Sequence, residues 1–348
     1  MKILATFGLA LALAAGSLPA TAQESKTLRV GSWLPPHHLI VSGILKPWAA
    51  AIEDETGGSL KFEIMTSALG PPPAQFDLLL DQAFDVGYGV SGHNAGRFPL
   101  TQVMDLPFMS PDPWAGSAAS WLTYEKYGAD YGEHDGAHVV GLFTHSNPNI
   151  NMAKGRIDTL DDLKGKTIRV GGNVTGRIMS ELGASPVQLP PTEAQTAMSR
   201  GVADGITFPS ESIDFFGITP VISTITRIPG GLYTDTFWVA FNQDSWDSLS
   251  EAEQAAVNKH SGMAIAMLSG FAWTNGDKHG EAKLNEKGVE FVTLPEADVA
   301  KAREALKPLE TEWLALAKEK GFNGEEILSY ARDMVQNYRA DTEVNVVK

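Results

Sequence analysis

Apolar and polar positions alternate along the chain between two spacings. Thr27–Leu34 and Leu60–Met65 predict strands, and the stretch from about Leu39 to Glu55 between them predicts a helix. Helical patterns follow at Ala74–Ala83 and Ala115–Tyr131, separated by a short strand at Asp85–Val90. The run Ala137–Thr144 is a further strand, and Lys166–Val170 is another that leads into a helix at Thr175–Leu182. Val187–Leu189 is a short strand, and Pro190-Pro191-Thr192-Glu193 opens the next helix with Thr192 as the expected N-cap. Asp204–Phe208 completes the series as a strand. Strands alternating with helices of this length imply mixed sheets covered on both faces, which is an α/β protein.

The last third is different. Ser250–Glu286 holds only helix-compatible residues and starts with a capping pattern, Ser250 followed by Glu253. Such a helix is long enough to straddle two lobes. Glycines at 262, 270, 276 and 280 leave helix–turn–helix as the competing reading. Two more helices are expected near Glu296–Lys320 and Gly324–Tyr338, with a frayed tail after Ala340. No linker rich in Pro, Gly or Ser separates two halves, so the chain is expected to cross between lobes more than once.

Composition narrows the partners. The 348 residues carry 27 Lys+Arg against 42 Asp+Glu, a formal net charge of −15. That balance argues against nucleic acid, whose phosphates demand a clustered basic surface. With no cysteine in the chain, disulfides, thiolate nucleophiles and cysteine-held metals are excluded. At the N-terminus, Lys2 precedes an apolar run from Ile3 to Ala15 and then Ala20-Thr21-Ala22. The pattern is that of a secretory signal cut before Gln23, because the run is shorter than the roughly 20 apolar residues of a membrane span. Residues 1–22 are therefore expected to be removed and the mature protein to work in the periplasm.

Catalytic and metal patterns are poor. His37-His38 are adjacent and diverge on any regular element, and no spacing such as His-Glu-x-x-His occurs. Gly89-Val90-Ser91-Gly92-His93 approaches a nucleophile elbow, but His93 stands where that motif needs glycine. Gly171-Gly172-Asn173-Val174-Thr175-Gly176 lacks the middle glycine of a dinucleotide fingerprint and the lysine of a P-loop. Neither an enzyme nor a cofactor is expected. What that segment offers is an anion site: Arg169 ends a strand just before helix-terminal N–H groups, and a planar guanidinium suits a carboxylate or sulfonate. A surface ion pair is the competing role for the same arginine.

The order of segments resembles a known family. Asp161-Asp162-Leu163-Lys164-Gly165-Lys166-Thr167-Ile168-Arg169-Val170 is similar to the core motif of the DctP-type solute-binding proteins of TRAP transporters. Around it stand Ala68-Leu69-Gly70, Ala83-Phe84-Asp85-Val86 and Asp105-Leu106-Pro107-Phe108, then Leu182–Val187, Arg200–Gly205 and Phe241-Asn242 with Trp246. The resemblance extends over residues 27–340. It implies two α/β lobes joined by crossing segments, with a long helix over both. It also implies capture of a small organic acid by lobe closure, then delivery to the membrane subunits of an ion-gradient-driven permease through transient contact. The expected division is lobe I at 23–146 plus 235–275 and lobe II at 147–234 plus 276–348.

Arg169 falls on the arginine that in this family usually forks onto the ligand carboxylate. Two departures bear on the ligand. Phe208, within Asp204–Pro209, stands where relatives often carry an amide, and Asn149 stands where a second basic residue sometimes occurs. A monoanion or zwitterion is therefore favoured over a dicarboxylate. Strand ends in open α/β sheets are where ligands bind, so Trp33, Tyr88, Phe208 and Trp238 are the expected cleft walls. Core packing competes for each aromatic and is the preferred role for Phe216 and Phe237. His37, His38 and Asn147 are the expected orienting polar groups. A ligand sensor serving a receptor, and a secreted enzyme on the same fold, remain the alternatives to transport.

Overall fold

The structure is a computed structural model that describes residues 25–339. The signal segment and the tail after Ala340 lie outside the described residues. Among the described residues, eleven strands form two sheets. The first contains β1 (Lys26–Val30), β2 (Leu60–Ile64), β3 (Val86–Val90), β4 (Ala137–Thr144) and β10 (Thr236–Asn242) in the order β2-β1-β3-β10-β4. The second contains β5 (Asn149–Met152), β6 (Thr167–Val170), β7 (Ser185–Gln188), β8 (Gly205–Phe208), β9 (Thr224–Arg227) and β11 (Glu290–Thr293) in the order β11-β9-β5-β8-β6-β7.

Each sheet has one strand that runs against its neighbours. In the first it is β10, antiparallel to β3 and β4; in the second it is β5, antiparallel to β8 and β9. Both are entered on a crossing between lobes, through residues 145–148 into β5 and through 228–235 into β10, whereas the later passage through α9 leads into β11, which is parallel to β9. Four strands escaped the sequence pattern: β5, β9, β10 and β11. Three of them are four residues long, and β10 is buried at every position, so none shows an alternation to read.

The helices are α1 (Lys46–Glu55), α2 (Gln75–Leu80), α3 (Pro113–Tyr127), α4 (Asn173–Glu181), α5 (Ala194–Ser199), α6 (Ser210–Phe215), α7 (Gln243–Asp247), α8 (Glu251–His260), α9 (Met263–Lys287), α10 (Glu296–Glu319) and α11 (Gly324–Asn337). The single helix expected over 250–286 is two, α8 and α9. Gly262 breaks it with φ of 61°, a left-handed conformation open mainly to glycine. Ser250 caps α8 through a reciprocal box with Glu253, as the sequence predicts. Thr192 does not cap α5, because Pro191–Glu193 winds into a 3-10 turn and α5 starts without a side-chain cap.

Helix α9 is the long helix shared by both lobes: it packs on α3 and β4 of the first and on α6 of the second. The core of each lobe is built around its own sheet. At the C-terminus, Val299 to Leu309 of α10 join the second lobe's core, whereas Trp313 and Ala317 pack with α11 and α3. The packing of this end therefore departs from the expected division, which places all of 276–348 in the second lobe. No helix among the described residues is long and apolar enough to cross a membrane.

Candidate functional site

A cavity lies where the two sheets face each other. Arg169, Phe208, Asp235 and Trp33 are among the residues that line it. Arg169 sits on β6, flanked by β7 and β8, and is wholly buried. Its Nε donates to the Leu189 carbonyl at 3.0 Å and Nη2 donates to the same oxygen, so the guanidinium is held by its back edge. Nη1 has no partner. The guanidinium carbon lies 4.4 Å from the centroid of the Phe208 ring, which fixes the plane of the fork. Burial lowers the Arg169 pKa to about 10, and the group stays charged at neutral pH.

The two crossing segments meet beside it. His145 opens the first crossing and Asp235 closes the second, and His145 Nε2 lies 3.1 Å from Asp235 Oδ2. On the other side of the ring, Nδ1 lies 2.7 Å from the Ser146 carbonyl. Burial opposes the charge on both groups. Even so, the bond and charge of Asp235 raise the His145 pKa above its ordinary value, while His145, His93 and Arg169 hold the Asp235 carboxyl below its own. Asp105 stands behind them and accepts from the Thr236 N–H at 2.7 Å. Burial and the negative charge of Asp235 push its carboxyl upward, towards the neutral acid. Arg169 is charged, and its guanidinium faces the cavity beside the His145–Asp235 pair. A carboxylate is the natural partner of a planar guanidinium.

The remaining walls are largely apolar. Phe208 stacks on Phe216 with ring centroids 5.7 Å apart, and Phe237 and Trp273 line the cavity together with Leu34, Ile40 and Val90. The cleft is shut at one edge by direct contact between lobes: Gln102 Nε2 donates to Asn173 Oδ1 at 3.3 Å, and Gly92 packs backbone to backbone on Gly172.

Of the residues singled out from the sequence, Arg169, Phe208, Trp33 and His38 come together at this cavity. Trp33 reaches it from the loop after β1, not from the strand itself. The others do not line it. Tyr88 lies behind Trp33, wholly buried, with its hydroxyl 2.9 Å from Ser32 Oγ. Trp238 faces the opposite side of β10, where it meets Phe76 edge-on at 5.1 Å. Its neighbour Phe237 takes the cavity side, because successive side chains in a strand point to opposite faces. Asn147 donates to the Pro111 carbonyl at 2.6 Å and Asn149 contacts Ser210, so both belong to a separate groove at the crossings. His37 is exposed against Phe215. Phe216 and Phe237 line the cavity and also pack in the core, the role preferred for them. His93, His145, Asp235 and Trp273 carried no local signal, since each acquires its meaning from a segment distant in the chain.

Residues 30–315 match the DctP family, described as bacterial extracellular solute-binding protein, family 7. The chain belongs to that family. The DctP fold is also found in a TRAP periplasmic solute-binding protein of Bordetella bronchiseptica, solved with bound (R)- and (S)-mandelate. It is 34% identical, with a TM-score of 0.86 over 90% of this chain and 99% of that one. A TRAP solute-binding protein of Rhodoferax ferrireducens, in complex with copurified benzoate, is 25% identical at a TM-score of 0.84, covering 90% and 98%. A marine metagenome TRAP protein specific for aromatic acid ligands, with 3-hydroxybenzoate, is 27% identical at 0.85, covering 91% and 99%. Among curated proteins, the outer membrane transporter protein TsaT of Comamonas testosteroni is 29% identical over 320 residues, 91% of this chain and 94% of that one. This DctP protein is thus a solute-binding protein, and its family works with membrane permeases on small organic acids.

Proposed function

We propose that this protein captures an aryl monocarboxylate between its lobes in the periplasm and hands it unchanged to the membrane subunits of a TRAP permease. One observation carries the reading: Arg169 offers its unpartnered Nη1 to a cavity walled by aromatic rings and aliphatic side chains. A buried guanidinium left without an anion is costly, and a carboxylate on Nη1 supplies the missing charge-assisted bond. Phe208, Phe216 and Trp33 then cover the ring of the acid. The relatives solved with mandelate, benzoate and 3-hydroxybenzoate support the same class. Delivery to a permease needs lobe closure, because a ligand stabilises the state that it touches from both sides.

A thermal-shift and calorimetric panel tests this. Benzoate, mandelate and phenylacetate are expected to raise the melting temperature, and sugar acids and C4-dicarboxylates to leave it unchanged. A ligand at 100 times its Kd adds about 2.7 kcal/mol, well above detection. A response confined to sugar acids or dicarboxylates refutes the reading. Recovery of the bound acid unaltered after long incubation separates binding from catalysis. A mature N-terminus at Gln23, read by mass spectrometry of periplasmic material, checks export.

A further inference from the structure

Four polar atoms of the cavity-lining residues are buried without a partner: Arg169 Nη1, Trp33 Nε1, Trp273 Nε1 and His93 Nδ1. Buried polar groups in folded proteins nearly always find one, so this set describes the ligand that fits between them. Three of the four, on Arg169, Trp33 and Trp273, are donors, and a carboxylate accepts from such groups. The fourth is different. The ring of His93 stands edge-on to Trp33, with centroids 6.2 Å apart, and within electrostatic reach of Asp235 and Arg169. Burial lowers its pKa to about 4, against the pull of Asp235, so the imidazole is neutral and one ring nitrogen is a bare acceptor.

Asp235 adds further acceptor capacity at the same end. A Cβ placed on Gly171 would lie 3.4 Å from Asp235 Oδ2 and 3.9 Å from Arg169 Nη1, so the glycine keeps open the space beside both groups. A bare carboxylate, which only accepts, answers the donors and leaves the acceptor nitrogen of His93 unanswered. A hydroxyl on the carbon next to that carboxylate reaches the same corner and can donate.

The geometry points to His93 as the group that selects aryl 2-hydroxy acids over their deoxy counterparts, by accepting the ligand's hydroxyl proton while Arg169 holds the carboxylate. This rests on the reading of the cavity as an aryl carboxylate site. The cost of leaving a buried acceptor unpaired falls on the ligand that lacks the hydroxyl, which is how such sites discriminate.

Calorimetry with mandelate and phenylacetate, which differ by this one hydroxyl, is the test. The wild-type protein is expected to prefer mandelate by about tenfold or more. His93→Phe keeps a ring against Trp33 but has no acceptor, and is expected to bring the mandelate-to-phenylacetate affinity ratio close to one. His93→Asn, which restores a polar side chain, is expected to recover part of it. Equal affinities in the wild type, or a preference that survives in His93→Phe, overturn the inference and leave the aryl carboxylate reading standing. Binding of neither acid overturns both. The wild-type comparison needs no variant to fold.

Discussion

Gly172 of the second lobe lies against the backbone of Gly92 in the first, so closely that a Cβ on Gly172 would stand 3.2 Å from the Gly92 carbonyl oxygen and 3.3 Å from its Cα. The backbone at Gly172 is extended, with φ of −139°, so a side chain there meets no conformational strain. What it meets is the other lobe. Glycine at this pair lets the cleft edge shut over Arg169.

Gly172→Val is therefore expected to act on closure alone. Ligand affinity should fall about tenfold or more, because closure then needs either a shifted contact or an incomplete approach. The melting temperature of the ligand-free protein should stay near wild type. Small-angle scattering at saturating ligand should show a larger radius of gyration than wild type. An unchanged affinity would show that this contact is not part of the bound state.

Arg169→Lys keeps the positive charge and loses the fork. The lysine ammonium cannot brace itself on the Leu189 carbonyl and present a second donor in the same plane. Affinity for an aryl carboxylate is expected to drop about 10- to 100-fold, measured by calorimetry on folded protein. Near wild-type binding would remove Arg169 from the clamp.

Tryptophan emission separates cavity walls from core. Trp33 and Trp273 line the cavity, and Trp238 packs on Phe76 away from it. Trp33→Phe and Trp273→Phe should each remove part of any ligand-induced change in emission, and Trp238→Phe should leave the change intact. A change carried by Trp238 would contradict the arrangement.

Glu211 gives the protein a pH signature. It is buried on α6 beside His38, with Asp277 accepting its backbone N–H at 2.9 Å and Asp214 nearby. Burial raises its pKa from 4.5 to about 8, and burial likewise raises Asp277 to about 6. Between 4.5 and 8 the folded protein retains the Glu211 proton that the unfolded chain has lost, so stability falls as pH rises through that window. His38 acts at the other end. Burial lowers it to about 3, and between 3 and 6.5 the unfolded chain binds the extra proton, so stability falls as pH drops there. Glu211→Gln should flatten the alkaline side of a denaturation-versus-pH curve between pH 5 and 8 and leave the acid side unchanged. An unaltered alkaline slope would show that Glu211 is ionised in the folded protein.

Much of this protein is legible in local sequence. Strand and helix alternate at spacings that the chain itself displays, Ser250 and Glu253 announce the start of α8, and the absence of cysteine and the acidic charge exclude whole classes of partner. Arg169 is legible for a similar reason: a short run of neighbouring residues, Asp161 to Val170, carries it. These are properties of residues within a few positions of one another, where hydrogen bonds and side-chain spacing are set by the backbone period.

Only the tertiary structure decided the rest. His145 and Asp235 are 90 positions apart and become partners because two crossing segments pass side by side between the lobes. Phe237 and Trp238 are adjacent and equally apolar, and the register of β10 between β3 and β4 sends one to the cavity and the other to the core. Asn147 and Asn149 lie in a crossing, where the turn of the chain carries them to a different groove. Burial, partner and charge state at the site come from segments that meet only on folding, and no periodicity in the chain records which of them meet.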